Sequence, residues 1–310
     1  MCGFHGKSGG PIAIASIANG LSHFFNVSFL LSPSSYYNRL LSIGVKPVSA
    51  SPQNIELVIC DLSIDPNILV PYKDKGIPIL LTIHGLRHAL HKLPDAHINS
   101  MLQLADKVHF VGQVQQDSYQ LSNEHFFIIP NSAEAIDKMI HARNIGSVGN
   151  LDEARKRAAL TVSSGLQSQA EKIHLWSCSK EFSRDNRVIH HEWESNKQLI
   201  FNSIDVLVFL SEQETFGLVI AEALSAGIPC VLSAIPAFAP FASCPGVVLL
   251  EESQLAEAPA YIDTFLAQKE QLAPVIRQFY VDNFSPQHID KLWLITLNTF
   301  LSINKSTSNL

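Results

Sequence analysis

The stretch Val206-Leu207-Val208-Phe209-Leu210-Ser211-Glu212-Gln213-Glu214-Thr215-Phe216-Gly217-Leu218-Val219-Ile220-Ala221-Glu222-Ala223-Leu224-Ser225-Ala226-Gly227-Ile228-Pro229-Cys230-Val231-Leu232-Ser233 decides the fold. Its two ends, Val206–Leu210 and Cys230–Ser233, are apolar runs of the length of buried strands. Phe216–Ala226 between them carries apolar residues at helical spacing, and Gly227-Ile228-Pro229 ends it in a turn. Strand, helix, strand is the repeating unit of a parallel sheet with crossover helices, so the fold class is α/β. Ligands of such sheets sit beyond the carboxyl ends of the strands, which places the loop Ser211–Thr215 where chemistry is expected. With a helix beginning near Thr215 or Phe216, the amides of Phe216, Gly217 and Leu218 form an anion pocket at the positive end of the dipole, suited to a diphosphate. Glu214 stands just before that helix and Glu222 about two turns inside it, so both can face one cleft and hold hydroxyl-bearing groups. The residues alone equally allow a plain packing reading, with Glu214 favouring the helix start and Glu222 on a solvated face.

The same alternation runs outward in both directions. Strands are expected at Asn26–Leu31, Ile55–Cys60, Ile77–Ile83, Lys107–Val111 and Phe126–Ile129, then at Ile145–Val148, Lys172–Trp176, Arg187–Ile189 and Val247–Leu250. Helical stretches are expected at Pro11–Phe25 and Asp152–Gln167. At 310 residues the chain has the length of two domains. The turn Pro130-Asn131-Ser132 marks the hinge region, giving an N-terminal domain over 1–138 and a C-terminal one over 139–285. Residues 286–310, with Ile289, Leu292, Trp293 and Leu297 on one helical face, form a last helix. Met1-Cys2-Gly3-Phe4-His5 leaves room for only a stub of a first strand before the loop Gly6-Lys7-Ser8-Gly9-Gly10.

Composition narrows the function. Twenty-two Lys and Arg against 28 Asp and Glu give a net charge of −6, which argues against nucleic acid as a partner. Cys2, Cys60, Cys178, Cys230 and Cys244 are odd in number and never spaced as C-x2-C, so they read as thiols of a reducing compartment. No apolar run reaches the length of a membrane span and no leader pattern opens the chain, so a cytoplasmic protein is expected. The pair His190-His191 has no third ligand at a suitable spacing, and no metal site is expected.

The string Glu214-x7-Glu222, with Phe216-Gly217 after the first glutamate and Ala226-Gly227-Ile228-Pro229 after the second, resembles the retaining GT-B glycosyltransferases of the family-four, group 1 type. The resemblance runs from about Gly9 to Pro229 and is loose over Ser163–Ser203. It implies two Rossmann-like doubly wound domains facing a central cleft, with the last helix crossing back to the first domain. It also implies that Glu214 contacts hydroxyls of the transferred sugar, that Glu222 binds the nucleotide ribose, and that the amides of Phe216, Gly217 and Leu218 hold the diphosphate.

Further landmarks follow from the same resemblance. His84, at the end of the strand Leu81-Thr82-Ile83, corresponds to a histidine that approaches the donor sugar and diphosphate; on its own it reads as easily as structural. Gly9 and Gly10 lie in a glycine loop opening a helix, where donor or acceptor is contacted. Val148-Gly149-Asn150-Leu151 occupies the place of a Gly-Arg-Leu segment, with Asn150 in the arginine's position. The basic pair Arg155-Lys156 falls around the cation that neutralises the leaving diphosphate, Lys156 first and Arg155 second. His191 follows a strand end that lines the base pocket.

The activity so implied is transfer of a sugar from a nucleotide-sugar donor to a hydroxyl of a glycan or lipid-linked acceptor, with retention of configuration and no metal or other cofactor. Such enzymes build bacterial surface polysaccharide or lipopolysaccharide, and the analogy allows a peripheral contact with the inner face of the membrane. The first 140 residues carry 9 basic against 10 acidic side chains, so their net charge marks no anionic-lipid patch. Two rivals share the architecture: a nucleotide-sugar epimerase and a non-catalytic sugar- or nucleotide-binding protein, the latter suggested by Asn150 and the short first strand.

Overall fold

The computed structural model describes residues 9–30, 40–49, 52–90, 93–139 and 142–307. The stub Met1–His5, the segment Gly6-Lys7-Ser8, Cys2 and His91 lie outside them. The chain divides into two compact units, one of Met1–Ser132 with Pro286–Leu310 and the other of Ala133–Ser285.

In the first unit α1 (Gly9–Leu21) leads to the parallel pair β1 (Val27–Leu30) and β2 (Val45–Val48), in which Phe29 lies opposite Pro47. The sequence analysis did not anticipate β2, because a proline cannot donate to a ladder and marks an edge strand or none. A separate four-stranded parallel sheet follows in simple order. It is built from β3 (Val58–Asp61), α2 (Val70–Asp74), β4 (Ile79–Ile83), α3 (Asp95–Leu104), β5 (Lys107–Phe110), α4 (Gln113–Tyr119) and β6 (Phe126–Ile128). Every residue of β4 is buried, as expected of a strand covered on both faces. Ile79, Leu81 and Ile83 pack with Val108 and Phe110 on one face. Leu80, on the opposite face, packs with Ile17 and Leu21 of α1.

The second unit is a six-stranded sheet, parallel throughout. Its elements are β7 (Asn144–Val148), α5 (Ala158–Gln167), β8 (Lys172–Trp176), β9 (Val188–His191), α6 (Lys197–Asn202), β10 (Val206–Phe209), α7 (Leu218–Ser225), β11 (Cys230–Ser233), β12 (Val247–Leu250) and α8 (Ala258–Asn283). The spatial order is β12-β11-β10-β7-β8-β9. From β7 the chain builds outward through β8 and β9, then returns to the other side of β7 with β10. The boundary between β7 and β10 is therefore the topological switch point, beside which ligands of such sheets bind. The last helix, α9 (Pro286–Thr307), belongs to the first unit, where Ile289, Trp293, Leu297 and Phe300 pack in the same cluster as Ile17 and Leu21.

Two expected helices are shorter than read from sequence. Asp152–Gln167 is helical only from Ala158; before it lie a 3-10 turn, Ala154–Lys156, and Arg157 at φ +50. That left-handed residue breaks the helix, and its guanidinium is held by Glu212 and Glu252, each at 2.8 Å. Phe216–Ala226 is helical from Leu218 to Ser225, because Gly217 at φ +96 cannot continue a right-handed helix. Among the described residues no helix is long and apolar enough to cross a membrane. Cys60, Cys178, Cys230 and Cys244 are buried free thiols.

Candidate active site

The loops after β7 and β10 meet at the switch point. Lys156, delivered by the 3-10 turn, is 8% exposed and places Nζ 2.5 Å from Oε1 of Glu214. Arg155 donates to the same oxygen at 3.2 Å and to the carbonyl of Gln213 at 2.6 Å. The Ser211 hydroxyl donates to that oxygen as well, at 2.9 Å. The Glu212 amide donates to the Arg155 carbonyl at 2.8 Å, which ties the two loops together through the backbone. Lys156 also lies over the Phe209 ring, 4.7 Å from its centre, a favourable place for a cation. Burial lowers the lysine's pKa, and the neighbouring Glu214 carboxylate opposes that fall.

Gly149, at φ +140, sits against this ammonium: a Cβ there would lie 3.6 Å from Nζ of Lys156. Asn150 is exposed and donates to Glu153 at 2.8 Å. The second cation on Glu214 is thus Arg155. Its other guanidinium nitrogen meets Glu153 at 2.6 Å.

α7 begins two or three residues later than expected, which changes what Phe216 contributes. Its ring is buried against Phe241 and Phe284, at 5.4 and 5.8 Å between centres. What remains for a ligand there is backbone, at Gly217, Leu218 and the first turn of α7. Glu222, on α7, is 7% exposed, and its two oxygens lie 3.1 and 3.2 Å from Nζ of Lys197. Burial raises its pKa, against the pull of Lys197. The packing reading of a solvated Glu222 is therefore wrong. Lys197 was not anticipated: it opens α6 behind the cap Asn196, 25 residues from Glu222, and nothing local marks it.

His191, at the end of β9, is stacked on Trp176 with 3.7 Å between ring centres and 7° between planes. Its Nε2 lies 2.9 Å from Nδ1 of His174, and the Nε2 of His174 is buried without a partner among the described residues. His190 turns elsewhere, its Nε2 accepting from the Phe182 amide at 2.9 Å. Trp176, His191 and His174 form an aromatic edge at the carboxyl end of the sheet.

In the first unit Gly9 and Gly10 are not a loop before a helix; they are the first two residues of α1. His84 follows β4 directly. Its Nε2 lies 3.2 Å from the Thr82 hydroxyl, and its Nδ1 is enclosed without a hydrogen-bond partner among the described residues. Burial pulls its pKa down to about 4, with Asp61 opposing, so the ring is neutral. The sequence analysis missed Thr82 and His109, which line up behind His84 at 3.2 and 2.8 Å along the chain of hydrogen bonds.

Residues 145–278 match the family model described as glycosyl transferases group 1. No curated protein matches the chain. Among solved structures, Anabaena Alr3699/HepE in complex with UDP-glucose superposes with a TM-score of 0.71 at 16% identity, over 95% of this chain and 97% of that one. Sucrose-phosphate synthase from Thermosynechococcus elongatus gives 0.71 at 14%, over 94% and 93%. The lipopolysaccharide outer core galactosyltransferase WaaB in its apo form gives 0.68 at 14%, over 96% and 97%. These likenesses show the fold, which is GT-B, with two Rossmann-like α/β units.

Proposed function

We propose that this chain, whose second unit carries the group 1 glycosyl transferase match, transfers a sugar from a nucleotide-sugar donor to a hydroxyl of a glycan or lipid-linked acceptor with retention of configuration. The observation that carries the reading is Glu214 clamped by Lys156, Arg155 and Ser211 at the switch point, beside the start of α7. A carboxylate so tied is a poor nucleophile and a good positioning group for sugar hydroxyls. The cations that hold it stand where a leaving diphosphate gains charge.

In this reading the bond from the anomeric carbon to the diphosphate oxygen breaks and the diphosphate leaves with the electron pair. The acceptor oxygen bonds to the anomeric carbon from the same face, and its proton passes to the departing phosphate. Lys156, Arg155 and the amides at the start of α7 stabilise the charge that develops, so no metal is called for. Glu222, held by Lys197, takes the ribose hydroxyls, His191 borders the base, and His84 serves the sugar. The UDP-glucose in the HepE structure supports a uridine nucleotide as the first donor to try. The galactosyltransferase likeness supports a role in surface polysaccharide or lipopolysaccharide synthesis.

The test is turnover of a panel of UDP-, GDP-, ADP- and CMP-sugars with and without crude glycolipid acceptor, followed by nucleotide release and by the anomeric configuration of the product. Acceptor-dependent release with a retained anomer is the expected result. Isomerised donor without release would make the protein an epimerase, and binding without turnover a non-catalytic one.

A further inference from the structure

We propose that Arg157 is a positioning residue: by clamping the loops after β10 and β12 to the turn after β7, it holds Lys156 and Arg155 against Glu214. The inference rests on the transfer reading for the reaction it serves, while the clamp stands on geometry within the second unit.

The two cations sit in a turn too short to hold its own shape. Ala154–Lys156 is a three-residue 3-10 turn closed by two backbone bonds, from the Lys156 amide to Glu153 and from the Arg157 amide to Ala154, each 3.0 Å. Bonds of this type are poorly aligned, and so short a turn gains little from them. Its flanks fix it instead. Upstream, the Asp152 carboxylate accepts from the Ser179 amide at 3.0 Å, the Ser179 hydroxyl at 2.6 Å and the Lys180 amide at 3.0 Å, which ties it to the loop after β8. Downstream, Arg157 donates from Nε to Glu212 and from Nη1 to Glu252.

The two carboxylates belong to different loops. Glu212 lies two residues before Glu214, in the loop after β10. Glu252 opens a 3-10 segment after β12, and β12 lies three strands from β7, about 14 Å across the sheet at the usual strand spacing. One guanidinium therefore joins loops that leave three strands of the sheet. Its planar fork can serve two acceptors at once from fixed directions, which a lysine ammonium on a flexible stem cannot.

The backbone supplies a second observation. Arg157 has φ +50 and ψ +42, a conformation that glycine adopts freely and a residue with a side chain only at a cost. Its carbonyl accepts from the amides of Leu160 at 2.9 Å and Thr161 at 3.2 Å, so the cationic turn ends and α5 starts at this one residue. Glu212 and Glu252 are exposed, so the two ion pairs add little stability. An arginine kept in a strained conformation, with bonds of little value to the fold, points to a geometric role. It acts through its neighbours Lys156 and Arg155, which meet Oε1 of Glu214.

The test reads the turn and the reaction separately, on the full-length protein. Acetic anhydride with peptide mass spectrometry measures how well each lysine is shielded. Lys138, whose buried ammonium pairs with Asp205 in the same unit, is the control. Arg157→Gly, which relieves the backbone, is expected to be acylated several times faster at Lys156 and no faster at Lys138, with a melting temperature close to that of the wild type. Its kcat is expected to fall by about tenfold or more, the scale of a small misplacement, with the donor KM little changed. Unchanged shielding of Lys156 overturns the clamp. Equal exposure of both lysines also overturns it, by making Arg157 a residue of the fold, and full kcat overturns the positioning role. Should Arg157→Gly not fold, the double variant Glu212→Gln with Glu252→Gln leaves Arg157 in place and is expected to expose Lys156 in the same way; unchanged shielding there decides against the clamp. If the wild type transfers no sugar, the proposed function falls and the positioning role with it, while the acylation pattern still decides the clamp.

Discussion

The ammonium of Lys156 and the carboxylate of Glu214 meet at 2.5 Å although 58 residues separate them, because each sits in a loop that follows one of two neighbouring central strands, β7 and β10. Their side chains are 10% and 13% exposed. The contact is therefore a largely desolvated ion pair, and losing one partner is worse than losing both.

From this comes the first prediction. Lys156→Ala and Glu214→Ala each lower transfer by about a hundredfold or more, the scale of losing one charge-stabilising group, while the fold survives. Each is also destabilised, Glu214→Ala more so because it strands a buried ammonium, by about 3 kcal/mol. The double variant Lys156→Met with Glu214→Gln recovers stability but not activity. Thermal denaturation alongside initial rates checks this; full activity in either single variant removes the site assignment.

Arg155 shares Oε1 of Glu214 but is more exposed, at 37%. Arg155→Ala is expected to reduce transfer by about tenfold with little change in melting temperature, since exposed ion pairs contribute on the order of 0–1 kcal/mol. A loss as large as that of Lys156→Ala would show the two cations to be equivalent.

Lys197 holds both oxygens of Glu222. Without it the carboxyl, already raised by burial, rises further and binds ribose hydroxyls as a neutral group. Lys197→Met should raise the donor KM severalfold and leave kcat nearly unchanged. A fall confined to kcat would move Glu222 from nucleotide binding to the chemical step.

Gly217 at φ +96 starts α7, and an added Cβ would lie 2.8 Å from Cδ1 of Ile220 and 3.0 Å from Cε1 of Phe238. Gly217→Ala should destabilise the second unit by about 1–3 kcal/mol and disturb the amides at the helix start. Unchanged unfolding in denaturant would show that the turn relaxes freely.

Burial holds three histidines neutral, with His84 and His174 lowered to about 4 and His109 to about 3. The unfolded chain protonates them near 6.5, so it binds more protons than the folded one below that pH. Their contribution is complete above pH 6.5 and is lost as pH falls toward 4, and for His109 toward 3. The slope is about 1.4 kcal/mol per pH unit for each group. His84→Gln should flatten denaturant-midpoint curves between pH 6.5 and 4; an equally steep curve removes His84 from the account.

Periodicity made most of the strands legible, and it did so for a physical reason: strands buried on both faces are apolar throughout, as β4 and β10 are. It failed at β2, where Pro47 interrupts the pattern, and at the start of α5, where Arg157 takes a left-handed conformation that no arginine advertises. Gly217 did advertise such a turn, yet its neighbour Phe216 looked helical because its apolar ring belongs to the core.

By itself the sequence determined the α/β class and the central strands, because apolar runs are local signals; Glu214, Glu222, Lys156, Arg155 and His84 became candidates through the family resemblance that a spaced motif carries. Tertiary structure alone decided that Lys156 and Arg155 share one oxygen of Glu214, that Lys197 anchors Glu222, and that Thr82 and His109 stand behind His84. Each of these depends on which strands lie side by side. That order is set by how each sheet packs with its own helices, and no spacing along the chain encodes it.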